Sequence, residues 1–246
     1  GIQPYNDTTY YQEFKLIKRS FESADLRVSG KKYEHNKDFF SFPMFPPSTI
    51  KTEEVLFLGY GIETGQYNDY QQSVEGRVIM VLQGEPKDQQ GKYIISGSEK
   101  KSPKRSWKEK LKTAKKNKAK AVIFISENFE KDYSLYKHRI EHEALNLLIK
   151  EDELPFMYIN KIVAEKILGR NKIERFKKEI STTKNTLNKK TKKSILFETK
   201  NKEKIITGKN VLGYIEGSDP ELKKELIVIT AHYDHIGIID GEIHNG

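Results

Sequence analysis

The residues best suited to chemistry lie in Ala231-His232-Tyr233-Asp234-His235-Ile236-Gly237, which places an aspartate between two histidines. In an extended chain, residues two apart project to the same side, so His232 and Asp234 point together. That pairing serves divalent-metal binding, because a ligating imidazole needs its other ring nitrogen held by a carboxylate or carbonyl. It also serves polar surface residues at the end of a strand, and spacing alone leaves both readings open. Two further spacings carry less. His138-Arg139-Ile140-Glu141-His142 fits the H-x-x-E-H pattern of inverted zinc peptidases, but its flanks read as an ordinary amphipathic helix. Gly59-Tyr60-Gly61 follows a strand, yet position 64 is threonine and Tyr67-Asn68-Asp69-Tyr70 does not begin a helix, so a turn is expected there rather than a dinucleotide loop.

The element that must position His232 is the aliphatic run Leu226 to Thr230, which reads as a strand. Open α/β sheets carry their ligand sites outside the carboxyl ends of such strands. Upstream, Asn210 to Ile215 reads as another strand, joined to it through the Gly217-Ser218-Asp219-Pro220 turn. Apolar strands are also expected at Val55 to Leu58, Arg77 to Leu82 and Ala121 to Ile125, with mixed aromatic and β-branched strands from Tyr10 to Val28. Trp107, Leu111 and Ala114 recur at helical spacing, a second helix is expected from about Tyr136 to Lys150, and Ile162 to Leu168 makes a third that Gly169 can end. Leu154 to Ile159 reads as an edge strand because of its proline. Residues 38 to 50, with four phenylalanines and three of the eight prolines, read as an irregular connection. Residues 170 to 204 look polar and lysine-rich around one strand, Ser194 to Glu198, with a hairpin turn at Lys200 to Lys204.

Composition removes several classes. The 246 residues include no cysteine, which excludes disulfides, thiolate metal sites and a cysteine nucleophile. No apolar run approaches the ~20 residues of a membrane helix, so no membrane span is expected. The 13 Tyr and 12 Phe must pack somewhere, which argues for a folded chain. Lys and Arg number 44 against 35 Asp and Glu, a net charge of +9. Residues 100 to 120 carry eleven of these cations and a single acid, Glu109, a density that suits phosphate neutralisation. The apolar stripe opposite the charges, and the lysines spread over 161 to 204, favour a solvated helix face instead, so no nucleic-acid partner is expected. Gly1-Ile2-Gln3-Pro4 reads as the tail of an element and Ile243-His244-Asn245-Gly246 as a turn after a strand, which suggests an excerpt of a longer polypeptide.

Asn210-Val211-Leu212-Gly213-Tyr214-Ile215-Glu216-Gly217, the Asp219-Pro220 turn and Glu225 through Gly237 together resemble the first metal-binding segment of the zinc-dependent aminopeptidases of metallopeptidase family 28. That segment runs N-V-x-G-x-x-x-G, a turn, a hydrophobic strand ending A-H-x-D-H-x-G, and then N-G-A-x-D-N. The likeness implies that His232 is a zinc ligand and Asp234 the catalytic-site carboxylate that orients it, and it gives His235 no metal role. Asn245-Gly246 matches the start of the final turn, whose aspartate bridges two zinc ions in the family. The remaining ligands and the general-base glutamate would then lie beyond Gly246, leaving this stretch inactive by itself.

Val55 through Ile62, Tyr67-Asn68-Asp69-Tyr70, Val74 through Val78 and Ala114 through Ile125 are similar to a protease-associated domain, a β-rich module inserted in several secreted peptidase families. Tyr10-Tyr11-Gln12-Glu13-Phe14 is similar to the family segment preceding that insert. The two likenesses imply an α/β chain combining a β-rich protease-associated domain with an incomplete α/β/α zinc-peptidase sheet. Its expected parts are an edge of the peptidase domain at 1–22, the insert at 23–180 and the first catalytic-domain strands at 181–246. They further imply a secreted or cell-envelope aminopeptidase acting on peptides with two zinc ions. A non-catalytic protein-binding module built on the insert is the competing reading.

Overall fold

Four apolar runs, Val55–Leu58, Val78–Leu82, Ala121–Ile125 and Phe156–Ile159, are buried along their whole length. A strand presents alternate residues to opposite faces, so continuous apolar runs require cover on both. The computed structural model supplies it. It describes residues 1–6, 8–148, 153–232, 237–239 and 241–244. In chain order the strands are β1 (Gln3–Pro4), β2 (Tyr11–Val28), β3 (Lys31–Tyr33), β4 (Phe39–Phe40), β5 (Ser48–Thr52), β6 (Val55–Leu58) and β7 (Val78–Leu82). Helix α1 (Trp107–Lys116), β8 (Ala121–Ile125), helix α2 (Phe129–Glu141), β9 (Ala144–Leu147) and β10 (Phe156–Ile159) follow. Then come α3 (Lys161–Leu168), α4 (Lys172–Thr183), β11 (Asn188–Thr191), β12 (Ile195–Val211), β13 (Gly213–Tyr214), β14 (Gly237–Ile239) and β15 (Glu242–His244). The chain is thus mixed α/β with several sheets and more strand than helix, as the sequence implied.

The chain divides into two units, Lys15–Thr207 and the pair of segments Gly1–Phe14 with Gly208–Gly246, so the division falls inside β2 and β12. In the larger unit one sheet has the order β11-β6-β7-β8-β10-β4. Its inner strands β6, β7, β8 and β10 run parallel, while β11 and β4 close the edges antiparallel. Parallel neighbours need crossovers, which α1 and α2 provide for β7 to β8 and for β8 to β10. One face, with Leu56, Leu58, Ile79, Val81, Val122, Phe124, Phe156 and Tyr158, packs under α1 and α2. The other, with Val55, Phe57, Met80, Ile123 and Met157, packs against α3, α4 and the second sheet β3-β2-β12-β5.

Caps fix the helix starts. Ser106 accepts from the Glu109 amide at 3.3 Å, Asn128 from Lys131 at 3.0 Å and Asn160 from Val163 at 3.0 Å, each satisfying an amide the first turn leaves open. Gly169, at φ 104, ends α3 as expected.

Several sequence expectations need correcting. The second helix lies earlier, at Phe129–Glu141, and Ala144–Leu147 is a strand paired with β2. Leu147 and Leu148, at helical spacing from the buried Ile140 and from Ala144, are exposed and do not continue a buried helical face. Helix α4 arises where only polar loop and strand were expected, its Ile173, Phe176 and Ile180 buried on one face. Lys200 to Lys204 is no turn: β12 runs straight through it, held beside β2 where Arg19 Nε donates to Glu203 Oε1 at 2.7 Å. Strand β10 is interior, between β8 and β4, because Pro155 stands just before it and contributes only its carbonyl, to the Val122 amide. Within 38–50, Phe39–Phe40 and Ser48–Thr52 are strands.

His35 is largely buried between Phe21 and Phe39, with ring centroids 5.3 and 5.2 Å away and no hydrogen-bond partner for Nε2. Burial pushes its pKa from 6.5 down to about 4. The neutral ring's contribution is therefore complete above pH 6.5 and is lost as pH falls toward 4, about 2–3 kcal/mol in all. His35→Phe is expected to flatten that limb of the stability curve in denaturant titrations between pH 7 and 4; an unchanged limb refutes the assignment.

Candidate functional site

The motif segment lies in the smaller unit. Strand β12 ends at Val211 and β13 pairs antiparallel with β1, Gln3 opposite Tyr214. Asp219 then accepts from the Glu221 and Leu222 amides, each at 2.8 Å, and these bonds hold its carboxyl below the usual range. The turn expected at Gly217 to Pro220 is present, and one turn of 3-10 helix, Leu222–Lys224, follows it. Beyond it the expected strand Leu226 to Thr230 forms no ladder. Leu226, Ile227, Val228 and Ile229 are 71, 90, 68 and 93% exposed. The physical reason is local: a continuous aliphatic run is a strand with two faces to cover, and nothing among the described residues covers these.

His232 follows that run and is exposed. Asp234 and His235 lie outside the described residues, as do Asn245 and Gly246. Strands β14 and β15 form a hairpin, with Gly237 opposite His244. Among the described residues no three His, Cys, Asp or Glu side chains come together as a metal-binding group. The described part of the chain therefore does not by itself fit zinc, which takes three or four protein ligands.

The H-x-x-E-H residues sit in the larger unit. The His138 and His142 rings stack 4.2 Å apart, and His142 Nδ1 lies 3.0 Å from the His138 carbonyl. Glu141 accepts from the Tyr133 hydroxyl at 2.5 Å and closes α2, so the motif is the end of an amphipathic helix. Basic residues of 100–120 are drawn into local ion pairs, Lys104 with Glu109, Lys116 with Glu63 and Lys118 with Glu75, at 2.9, 3.2 and 3.1 Å.

Sequence reasoning missed a buried polar cluster at the carboxyl ends of β6 and β7. Lys110 reaches inward from α1, 2% exposed, and its Nζ donates to the Leu82 carbonyl at 2.7 Å and stands 5.6 Å from the Tyr60 ring centroid. Asp69, fully buried, accepts from the Tyr60 and Ile62 amides at 3.1 and 3.0 Å through Oδ2. Glu85 Oε1 accepts from the Ser102 amide at 2.9 Å, and Oε2 has no hydrogen-bond partner among the described residues. Burial, against the pull of Ile62, Tyr67, Lys110 and Tyr60, raises the Asp69 carboxyl to about 7. Burial likewise lowers the Lys110 ammonium to about 7, although Asp69, Glu85 and Glu127 oppose it. A readable signal existed: Lys110 falls on the Trp107, Leu111, Ala114 stripe, where a solvated face has no lysine. A separate open groove of about 570 Å³ has Glu63, Thr64 and Asn68 on one wall and Lys112, Thr113 and Lys116, from the face of α1 away from the core, on the other.

The fold is a mixed α/β arrangement whose larger unit is built on a mainly parallel sheet. The chain matches no protein-family model and no curated protein sequence. It is similar in part to the solved aminopeptidase from Aneurinibacillus sp. strain AM-1, at 15% identity and a TM-score of 0.44, over 86% of this chain and 39% of that one. It is also similar to BSAP, a zinc aminopeptidase from Bacillus subtilis, at 14% identity and a TM-score of 0.37, over 86% of this chain and 38% of that one. The chain thus spans 39 and 38% of the length of these structures.

Proposed function

We propose that this chain is part of a secreted or cell-envelope zinc-dependent aminopeptidase of metallopeptidase family 28, with 23–180 as its protease-associated insert. In this reading His232 is a zinc ligand, Asp234 holds its ring, and the whole protein removes N-terminal residues from peptides using two zinc ions. The observation that carries it is the sequence Asn210 to Gly237, in which a glycine-marked segment, an Asp-Pro turn and an aliphatic run lead into Ala-His-x-Asp-His-x-Gly. The exposed Leu226 to Ile229 run supports it, since such a strand belongs inside a sheet. One histidine and one aspartate do not complete a zinc site, so the remaining ligands and the general base are assigned to a longer polypeptide. The 246-residue chain by itself is expected to bind no stoichiometric zinc and to cleave nothing.

The test uses the longer protein and aminoacyl chromogenic substrates. Activity is expected, is abolished by chelation and returns with zinc; Asp234→Asn weakens zinc affinity by ~10–100-fold, measured by competition with a chromogenic chelator. Full activity in His232→Ala removes the reading. The non-catalytic alternative rests on the larger unit, Lys15–Thr207, which holds both buried clusters without the His232 segment. A longer protein that binds unmodified peptides without cleaving them favours that alternative.

A further inference from the structure

Helix α2 closes with two histidines one turn apart, and the fold sets their rings together. Residues four apart share a helix face, and helical side chains lean back toward the preceding turn. His142, the residue at which α2 stops, has extended backbone at φ −103 and ψ 164, and its ring lies over that of His138. The ring centroids are 4.2 Å apart and the planes differ by 11°. We propose that His138 and His142 form a two-imidazole site for a divalent cation that favours tetragonal surroundings, copper(II) foremost, and that the bound cation clamps the carboxyl end of α2.

Three features of the pair suit a cation. His142 Nδ1 lies 3.0 Å from the His138 carbonyl oxygen. A carbonyl only accepts, so Nδ1 carries the proton and Nε2 keeps the lone pair that a metal takes; metal-ligating histidines are commonly fixed in this tautomer by a backbone carbonyl. Two nitrogens held at about 2.0 Å from one cation, at right angles, lie about 3 Å apart. The stacked rings are exposed and need only swing about their Cβ–Cγ bonds to converge that far. The carboxyl end of a helix also carries partial negative charge, which favours a cation placed there.

The acids nearby are engaged elsewhere. Glu141 accepts from the Tyr133 hydroxyl through Oε1 at 2.5 Å, with Oε2 3.9 Å from Lys137 Nζ, and Glu143 pairs with Lys18. Among the described residues no third His, Asp or Glu completes a group around the pair. Two imidazoles are too few for zinc, which takes three or four protein ligands. They suit copper(II), which binds nitrogen most strongly among the divalent first-row metals and accepts water in its remaining positions. The site therefore differs from the inverted zinc-peptidase centre whose spacing it shares, and it makes no use of His232. Its effect is mechanical: the cation joins the last turn of α2 to the start of the connection to β9, where the His142 amide already donates to the His138 carbonyl at 3.1 Å.

Copper(II) titration of the whole 246-residue chain, in a buffer without ligating groups and followed by the histidine ring-proton signals, tests this. Below one equivalent the His138 and His142 signals are expected to broaden before those of His232, His235 and His244. His138→Ala and His142→Ala each weaken the tightest site by at least about tenfold, because the second imidazole meets a cation already tethered by the first. Both rings are exposed, so these variants keep the fold. His142→Ala combined with Arg139→His restores the number of histidines but sets the two rings about 100° apart around the helix, and it is expected to stay weak. Unchanged affinity in either single variant, first broadening at another histidine, or recovery in the double variant overturns the site.

Discussion

Phe156→Ala is expected to lower the unfolding free energy by about 3–5 kcal/mol, the usual cost of emptying a buried aromatic site. Phe156 is 1% exposed and opens β10, the interior strand between β8 and β4. Its ring meets Phe42 and Trp107 at centroid distances of 5.4 and 5.3 Å, Phe124 at 5.7 Å and Phe45 at 4.9 Å. Those rings come from α1, β8 and the segment between β4 and β5, so they cannot all move in to fill the void. The one tryptophan of the chain, Trp107, reports on the same site. Urea unfolding followed by its emission should show a lower midpoint with an unchanged slope, and a loss under 1 kcal/mol means the site collapses freely.

The second large effect is expected at Gly61. Its φ of +64 lies in the left-handed region, and a Cβ there would stand 2.6 Å from Val81 Cγ1. Val81 is fixed inside β7, paired with Phe124 of β8, and cannot withdraw. Backbone strain and the clash together predict roughly 2–4 kcal/mol of destabilisation for Gly61→Ala, against gains of at most ~1 kcal/mol where a glycine site accepts alanine. Gly91, also at positive φ but with nothing within 4 Å, is the control: Gly91→Ala should cost only the conformational part. Equal losses at both positions, read by thermal unfolding, mean that contact with Val81 is harmless.

Much of the larger unit is legible in its sequence because hydrophobic runs there meet a matching demand for cover. Val55–Leu58, Val78–Leu82 and Ala121–Ile125 announce themselves as strands with no polar face. Helix α4 escaped notice because charged residues separate Ile173, Phe176 and Ile180, although their three- and four-residue steps carry the period. Strand β9 reads as helix in the sequence because Leu147 and Leu148 satisfy that same period, while only tertiary pairing with β2 decides the outcome. The partial site is a different matter. His232 stands out through neighbouring letters alone, and among the described residues no further His, Asp or Glu side chains gather with it into a metal-binding group. Lys110 stayed hidden for the opposite reason: lysines are plentiful here, and burial is a property of the packed helix rather than of the residue type.

The uncovered aliphatic stretch before His232 also governs how the protein behaves in a tube. Four adjacent aliphatic side chains in water, on a stretch that forms no ladder among the described residues, are a template for cross-chain β-pairing. A net charge of +9 opposes that encounter by mutual repulsion, which ions screen over roughly 10 Å at 0.1 M and about 3 Å at 1 M. Concentrated samples should consequently scatter more light as sodium chloride is added.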